Sequence, residues 1–406
     1  MVLNRTAEQD IPELATYQRQ FLLAGAAGAV LSIIGYFLNP GQFFHSYLMA
    51  YMFVLGLTLG SLALAMVHQL SGGAWGVVIR RQMGAASRVL PVLTVLFLPI
   101  IVGMPYLYVW THADIVNADP VLRGKQLYLN TPFFIVRAVF YFAAWNTVTY
   151  LLNKWGLEQD ESGDPRYARR MQMLSGGGLV LYGLCITFAS FDWLMSLEPH
   201  WFSTIYGALI MGGQGLSALA FLITSLVWLS RRPPLRDIVR PIHFHDLANL
   251  MLAFVMLWAY FSFSQYLIIW SGNLPEEIAW YLDRLQKGWR VVAVALVVFH
   301  FTVPFLLLLS RAVKRAPETL VKVSLAILAA RLIDLFWLIA PEFHRQGIWV
   351  SWMDIVLPAT LIAIWIGCFL WQLRGRPLLP VYDPQFEEAL GPIIERLGEK
   401  PRTAHD

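Results

Sequence analysis

The sequence predicts an all-α integral membrane protein of ten transmembrane helices, with both termini cytoplasmic. Three observations predict it. Of 406 residues, 57 % are hydrophobic and only 14 % are charged, whereas about a quarter are charged in a soluble chain. Ten apolar runs are each long enough to cross a bilayer as a helix, which takes roughly 20 residues. The Lys and Arg residues collect on one side of those runs. A soluble enzyme, a disordered chain and a secreted disulfide scaffold are excluded.

The polar segment 1–19 reads as a cytoplasmic N-terminal segment. No small-residue cleavage site follows the first apolar run, so no cleaved signal peptide is expected. The first run, 20–38, is rich in small residues from Gly25 to Ala29. The second, 46–69, carries the pair Gly56 and Gly60, with His68 at its inner end. The third, 89–110, holds Pro91, Pro99 and Pro105. The fourth is 131–152, with Arg137, and the fifth 177–197, with Asp192. Ser175-Gly176-Gly177-Gly178 lacks the lysine of a phosphate-cradling loop and reads as a helix-entry turn. The sixth, 203–229, has Gly207, Gly212, Gly213 and Gly215. Such residues let membrane helices approach closely. The remaining runs are 246–270, 290–311, 320–340 and 353–373, which closes a membrane domain over 20–373. In the tail, 374–406, Phe386, Leu390, Ile393, Ile394 and Leu397 repeat at helical spacing. This predicts an amphipathic helix over 383–398, with too few basic residues for a lipid anchor.

Of the 30 Lys and Arg residues, all but eight fall in the N-terminal segment, the tail and the loops on their side. Arg123, Lys125, Arg284, Lys287, Arg290 and Arg345 fall in the opposite loops, and Arg137 and Arg331 within runs. That asymmetry sets the cytoplasmic orientation. The net charge of +4 forms no basic face, so no nucleic-acid partner is expected. Cys185 and Cys368 lie in apolar runs. Two cysteines cannot ligate an iron–sulfur cluster, which needs about four thiolates.

Ionisable residues inside a membrane are costly and mark function. At the inner face lie His68, His243, His245 and Asp246, read as the entrance of a proton pathway. His300 and Arg331 lie near mid-depth. Asp334, Asp192 and Arg137 lie in the outer half, and Glu198, His200 and Asp354 form the exit. Arg331 and Asp334 share a helix face and can pair, which serves either a conduit or a closed lock. Pro304 and Pro358 follow His300 and Asp354 by four residues, so they remove the N–H that would bond those carbonyls. His68 and His300 differ in depth by about 10–12 Å, which argues against a bis-histidine haem, and no His/Cys set has zinc spacing.

Three stretches carry a resemblance: FDWLMSLEPHWFSTIYG (Phe191–Gly207), HDLANLMLAFVMLWAYFSFSQYLIIWSGNLPEEIAWYL (His245–Leu282) and HQLSGGAWG (His68–Gly76). The chain resembles the membrane subunits of alternative complex III, most of all the second of its two ten-span subunits. These belong to the polysulfide-reductase membrane-subunit (NrfD-like) superfamily. The resemblance implies two four-helix bundles, spans two to five and six to nine, flanked by spans one and ten. It implies a quinol:electron-acceptor oxidoreductase in a bacterial cytoplasmic membrane that oxidises menaquinol or ubiquinol. Electrons would pass through iron–sulfur clusters and c-type haems on an iron–sulfur subunit and multihaem cytochromes. This chain would carry no redox centre and would sit beside a sister ten-span subunit that holds the main quinol site. A quinol site here would use Asp192, Glu198 and His200 near Trp193 and Trp201. A stand-alone secondary transporter is the reading from another class, since ten spans with buried charges also fit one.

Overall fold

A computed structural model describes residues 12–374, 376–379 and 386. Ten helices are long and apolar enough to cross a membrane: α1 (Glu13–Leu38), α2 (Pro40–Ser71), α3 (Arg80–Val102), α4 (Thr131–Ser162), α5 (Arg166–Leu197), α6 (Tyr206–Leu229), α7 (Pro241–Gly272), α8 (Trp289–Leu309), α9 (Pro317–Phe343) and α10 (Met353–Leu373). No strand occurs among the described residues. The chain is a multi-pass membrane protein. The side on which α1 begins and α10 ends is here the near side, the other the far side. The amphipathic helix expected over 383–398 lies outside the described residues, apart from Phe386, which is buried.

The helices start and stop where side chains meet the unpaired backbone. Asn39 accepts from Gln42 N at 3.1 Å and Pro40 opens α2. Asn130 accepts from Phe133 N at 2.9 Å to open α4, and Gly163, left-handed at φ 66°, ends it. Such caps satisfy orphan N–H groups, and proline at the first turn loses no bond. Several spans run longer than the apolar runs, because polar turns continue the helix beyond the hydrocarbon. α5 extends furthest, starting at Arg166, whereas α3 is shifted: it starts at Arg80 and so takes in Arg80, Arg81 and Arg88.

α2 and α6 are the most buried helices and pack on each other at the centre. Gly60 lies directly on the Gln214 carbonyl, where a Cβ would collide with backbone. Around α2 stand α3 and α5, with α4 closing the first bundle, and around α6 stand α7 and α9, with α8 closing the second. α2 also touches α9, and α6 touches α5. α1 lies along α10, which in turn packs on α2. The architecture is therefore two four-helix bundles flanked by the first and last helices.

Two helices are irregular. In α3 the prolines break the ladder. Phe97 N bonds Thr94 O (3.4 Å) and Ile100 N bonds Phe97 O (3.0 Å), each one residue short of the α-helical acceptor. The carbonyls of Leu93 and Leu96 are left over. Tyr51 donates its hydroxyl to Leu93 O at 3.0 Å and Tyr47 to Leu96 O at 2.6 Å. In the membrane such carbonyls must find a partner inside the protein. In α8, Val297–Thr302 forms a wide π turn just before Pro304, and Val303 N reaches back five residues to Val298 O. His300 sits inside that turn. Turns of this kind recur at functional sites.

Candidate functional site

The expected ladder of ionisable groups resolves into six separate places. In the second bundle, α9 brings Arg331 and Asp334 onto one face, one turn apart, and they form a buried ion pair. Trp258 of α7 donates its indole N–H to Asp334 Oδ2 at 3.1 Å. Gly213 of α6 makes room for the guanidinium: a Cβ there would strike Arg331 Cζ. His300 of α8 lies over Trp258, ring centroids 4.2 Å apart. Its ring is fully buried, and neither nitrogen has a hydrogen-bond partner among the described residues. A buried imidazole with two open valences is costly unless something polar visits it.

In the first bundle, Arg137 of α4 grips Asp192 of α5 with two bonds, Nε–Oδ2 at 2.8 Å and Nη2–Oδ1 at 2.9 Å. Tyr141 donates to the same carboxylate at 2.8 Å. The remaining guanidinium donor goes to Tyr128 O at 2.9 Å, and the cation lies over the Tyr128 and Phe133 rings. Every guanidinium nitrogen of Arg137 is thus engaged. Among the described residues the one cation partner of Asp192 is Arg137, and no hydrogen bond or ion pair joins it to His300, Arg331 or Asp334.

On the far side a chain of alternating charges joins the bundles. Asp119 meets His200 Nε2 at 2.6 Å, and His200 Nδ1 meets Glu198 at 3.2 Å. Arg345 pairs with Glu198 and lies 3.2 Å from Glu342, which binds Arg284 at 2.7 Å. The chain runs from exposed His200 to fully buried Arg284. The His200 hydrogen bond holds the Asp119 carboxyl below its usual range. Burial raises that of Glu198, and neighbouring Glu342 adds to this against the pull of Arg345. Of the expected exit residues, Glu198 and His200 lie in this chain. Asp354 lies elsewhere, in a nest between α2, α9 and α10. It accepts from Ser46 (2.5 Å), Gln42 (3.0 Å) and Ser351 N (2.8 Å). Gln42 also meets His344 at 3.2 Å. Between these groups is a cavity of about 10 Å³, room for about one water. Burial lowers the His344 imidazole below its usual 6.5.

The expected entrance divides in two on the near side. His68 closes a local turn, with Nε2 3.1 Å from Gly73 O and its ring edge-on to Trp75. His243 accepts from Arg240 N at 3.0 Å and caps α7. Only His245 and Asp246 form a polar group, with His245 3.2 Å from Asn249, which in turn takes Lys314 at 2.7 Å.

Reading the sequence missed Arg284 and Glu342, the buried end of the far-side chain. Arg284 lies outside every apolar run and counts there as a loop residue. A signal was present: Trp280, Tyr281 and Arg284 share one face of the short helix Pro275–Leu285, and all three are buried. The groups proposed to receive a quinol are engaged by other side chains. Asp192 is held by Arg137, and Trp201 stacks on Trp280 with centroids 4.6 Å apart. Among the described residues, no three His, Cys, Asp or Glu side chains are placed to hold a metal. No family model and no curated protein matches this chain.

Proposed function

We propose that this chain is a membrane subunit of a quinol:electron-acceptor oxidoreductase of the alternative complex III type, and that its second bundle conducts protons. It resides in a bacterial cytoplasmic membrane with its near side inward. Its partners are an iron–sulfur subunit, a sister ten-span subunit and multihaem c-type cytochromes. Menaquinol or ubiquinol is oxidised by the complex, and no redox centre is carried by this chain.

The observation that carries the reading is His300, buried with both nitrogens open, beside the Arg331–Asp334 pair and inside a π turn. A lock needs the ion pair alone. A conduit also needs a group that can take a proton on one atom and release it from another, and the two nitrogens of an imidazole allow that. The route enters at His245 and Asp246, passes His300, Arg331 and Asp334, and leaves through Glu342, Glu198 and His200. The Arg137–Asp192 site and His68 stand outside it. Asp354 stands beside its exit.

Two experiments test this. The first isolates the tagged chain from native membranes and records a visible spectrum. Copurified c-type haem and iron–sulfur protein are expected. A single colourless polypeptide would overturn the complex and favour a transporter. The second measures proton release per electron in Asp334→Asn and His300→Ala. A loss in both is expected with quinol turnover reduced. Unchanged stoichiometry in both would sink the conduit.

A further inference from the structure

On the near side, Arg80, Arg81 and Arg88 of α3 and Arg376, just past α10, converge on a void of about 60 Å³ beside Asn153. That volume exceeds what one water fills. Arg81 is paired with Asp160. Arg88 is not paired with a carboxylate among the described residues. Its three donor groups go to neutral acceptors: Asn153 Oδ1 at 2.5 Å, Gln372 Oε1 at 2.9 Å and Gln372 O at 2.6 Å. These bonds fix the guanidinium without cancelling its charge. Arg376 makes no ion pair among the described residues either.

Arg88, Arg376 and Asn153 also line a second cavity, of about 630 Å³, beside the first. It opens outward, and Pro91, Tyr150 and Leu157 give it apolar walls. Tyr150, within the span α4, is 64 % exposed. Lys154 at its rim is 3.9 Å from Glu158. Glu161 also faces this cavity. Asp160 offsets Arg81, and Glu158 and Glu161 line the larger cavity with Lys154, while Arg88 and Arg376 have no carboxylate partner among the described residues. A partly buried cation favours a bound anion. The guanidinium fork matches phosphate oxygens, and basic pockets between membrane helices recognise anionic headgroups.

We propose that this double cavity between α3, α4 and α10 binds a net-anionic phosphate group, and that the source is a phospholipid. The small void takes the phosphate against Arg88 and Arg376. The larger one takes the glycerol and the first part of the acyl chains. The apolar walls and the opening toward lipid decide against free phosphate, which would use neither.

The test uses the full chain in its native assembly, delipidated in detergent and reconstituted in nanodiscs of phosphatidylcholine with or without phosphatidylglycerol. Retained lipid is read by mass spectrometry after re-extraction. Phosphatidylglycerol is expected to be retained, and about tenfold less in Arg88→Gln, because one charged contact is lost. Arg88→Lys should keep more. Should Arg88→Gln fail to fold, Arg376→Gln and the cavity-filling Leu157→Trp ask the same question without touching the bonds of Arg88. Equal retention in wild type and all variants would overturn the site. Competition by millimolar inorganic phosphate, with no phosphatidylglycerol preference, would overturn the lipid source.

Discussion

The two bundles each bury an arginine and an aspartate, yet they treat them differently. In the first, Arg137, Asp192 and Tyr141 satisfy one another, and every guanidinium nitrogen has a partner. In the second, Arg331 and Asp334 satisfy one another, and His300 beside them is left open. Removing one member of a saturated network leaves a buried charge with nothing to face. Removing the open member of an unsaturated one removes a cost. Identical residue types therefore form a closed network in one bundle and, under the proposed function, a proton-handling centre in the other. What differs is the number of bonding groups that the neighbouring helices supply.

Four outcomes break or sharpen this contrast. The largest effect is expected for Asp192→Ala, which strands Arg137 and should cost on the order of 3–5 kcal/mol. Thermal unfolding in detergent measures it, and the apolar pair Arg137→Leu with Asp192→Leu should recover most of the loss. If the single change is harmless, the first bundle is no lock. Next, Tyr141→Phe deletes one bond to a charged carboxylate and should cost ~1.5–3 kcal/mol. His300→Phe should be neutral or stabilise by up to about 1 kcal/mol, because it removes two unpaired polar atoms at similar volume. It should also abolish proton release. A His300→Phe protein as destabilised as Tyr141→Phe would show that the imidazole is bonded after all. The smallest effect concerns His344. With its folded pKa below 6.5, the stability it contributes is present above pH 6.5 and lost as the pH falls through the folded value. Melting temperatures from pH 7.5 to 5 should drop further in the wild type than in His344→Gln, whose side chain stays neutral.

Much of the fold was legible because membrane burial writes itself into composition. Leucine, valine and phenylalanine runs mark spans wherever they occur, and ten runs gave ten helices. Helix ends were less legible, since polar residues such as Arg80 continue a helix beyond the hydrocarbon when capped or buried by neighbours. The charged residues were equally visible, and pairing within one helix, Arg331 with Asp334, follows from spacing alone. Partners from other helices were not visible. Nothing near Asp192 in sequence points to Arg137, fifty-five residues earlier, and nothing near Glu342 points to Arg284.

The sequence by itself determined which residues enter the membrane and which of them carry charge, because hydropathy and helical spacing are local. The tertiary structure alone decided which charges are silenced. Whether a buried group is satisfied depends on donors brought from other helices: Tyr141 for Asp192, Trp258 for Asp334 and, among the described residues, none for His300. That is a property of packing, and it separates the lock from the site.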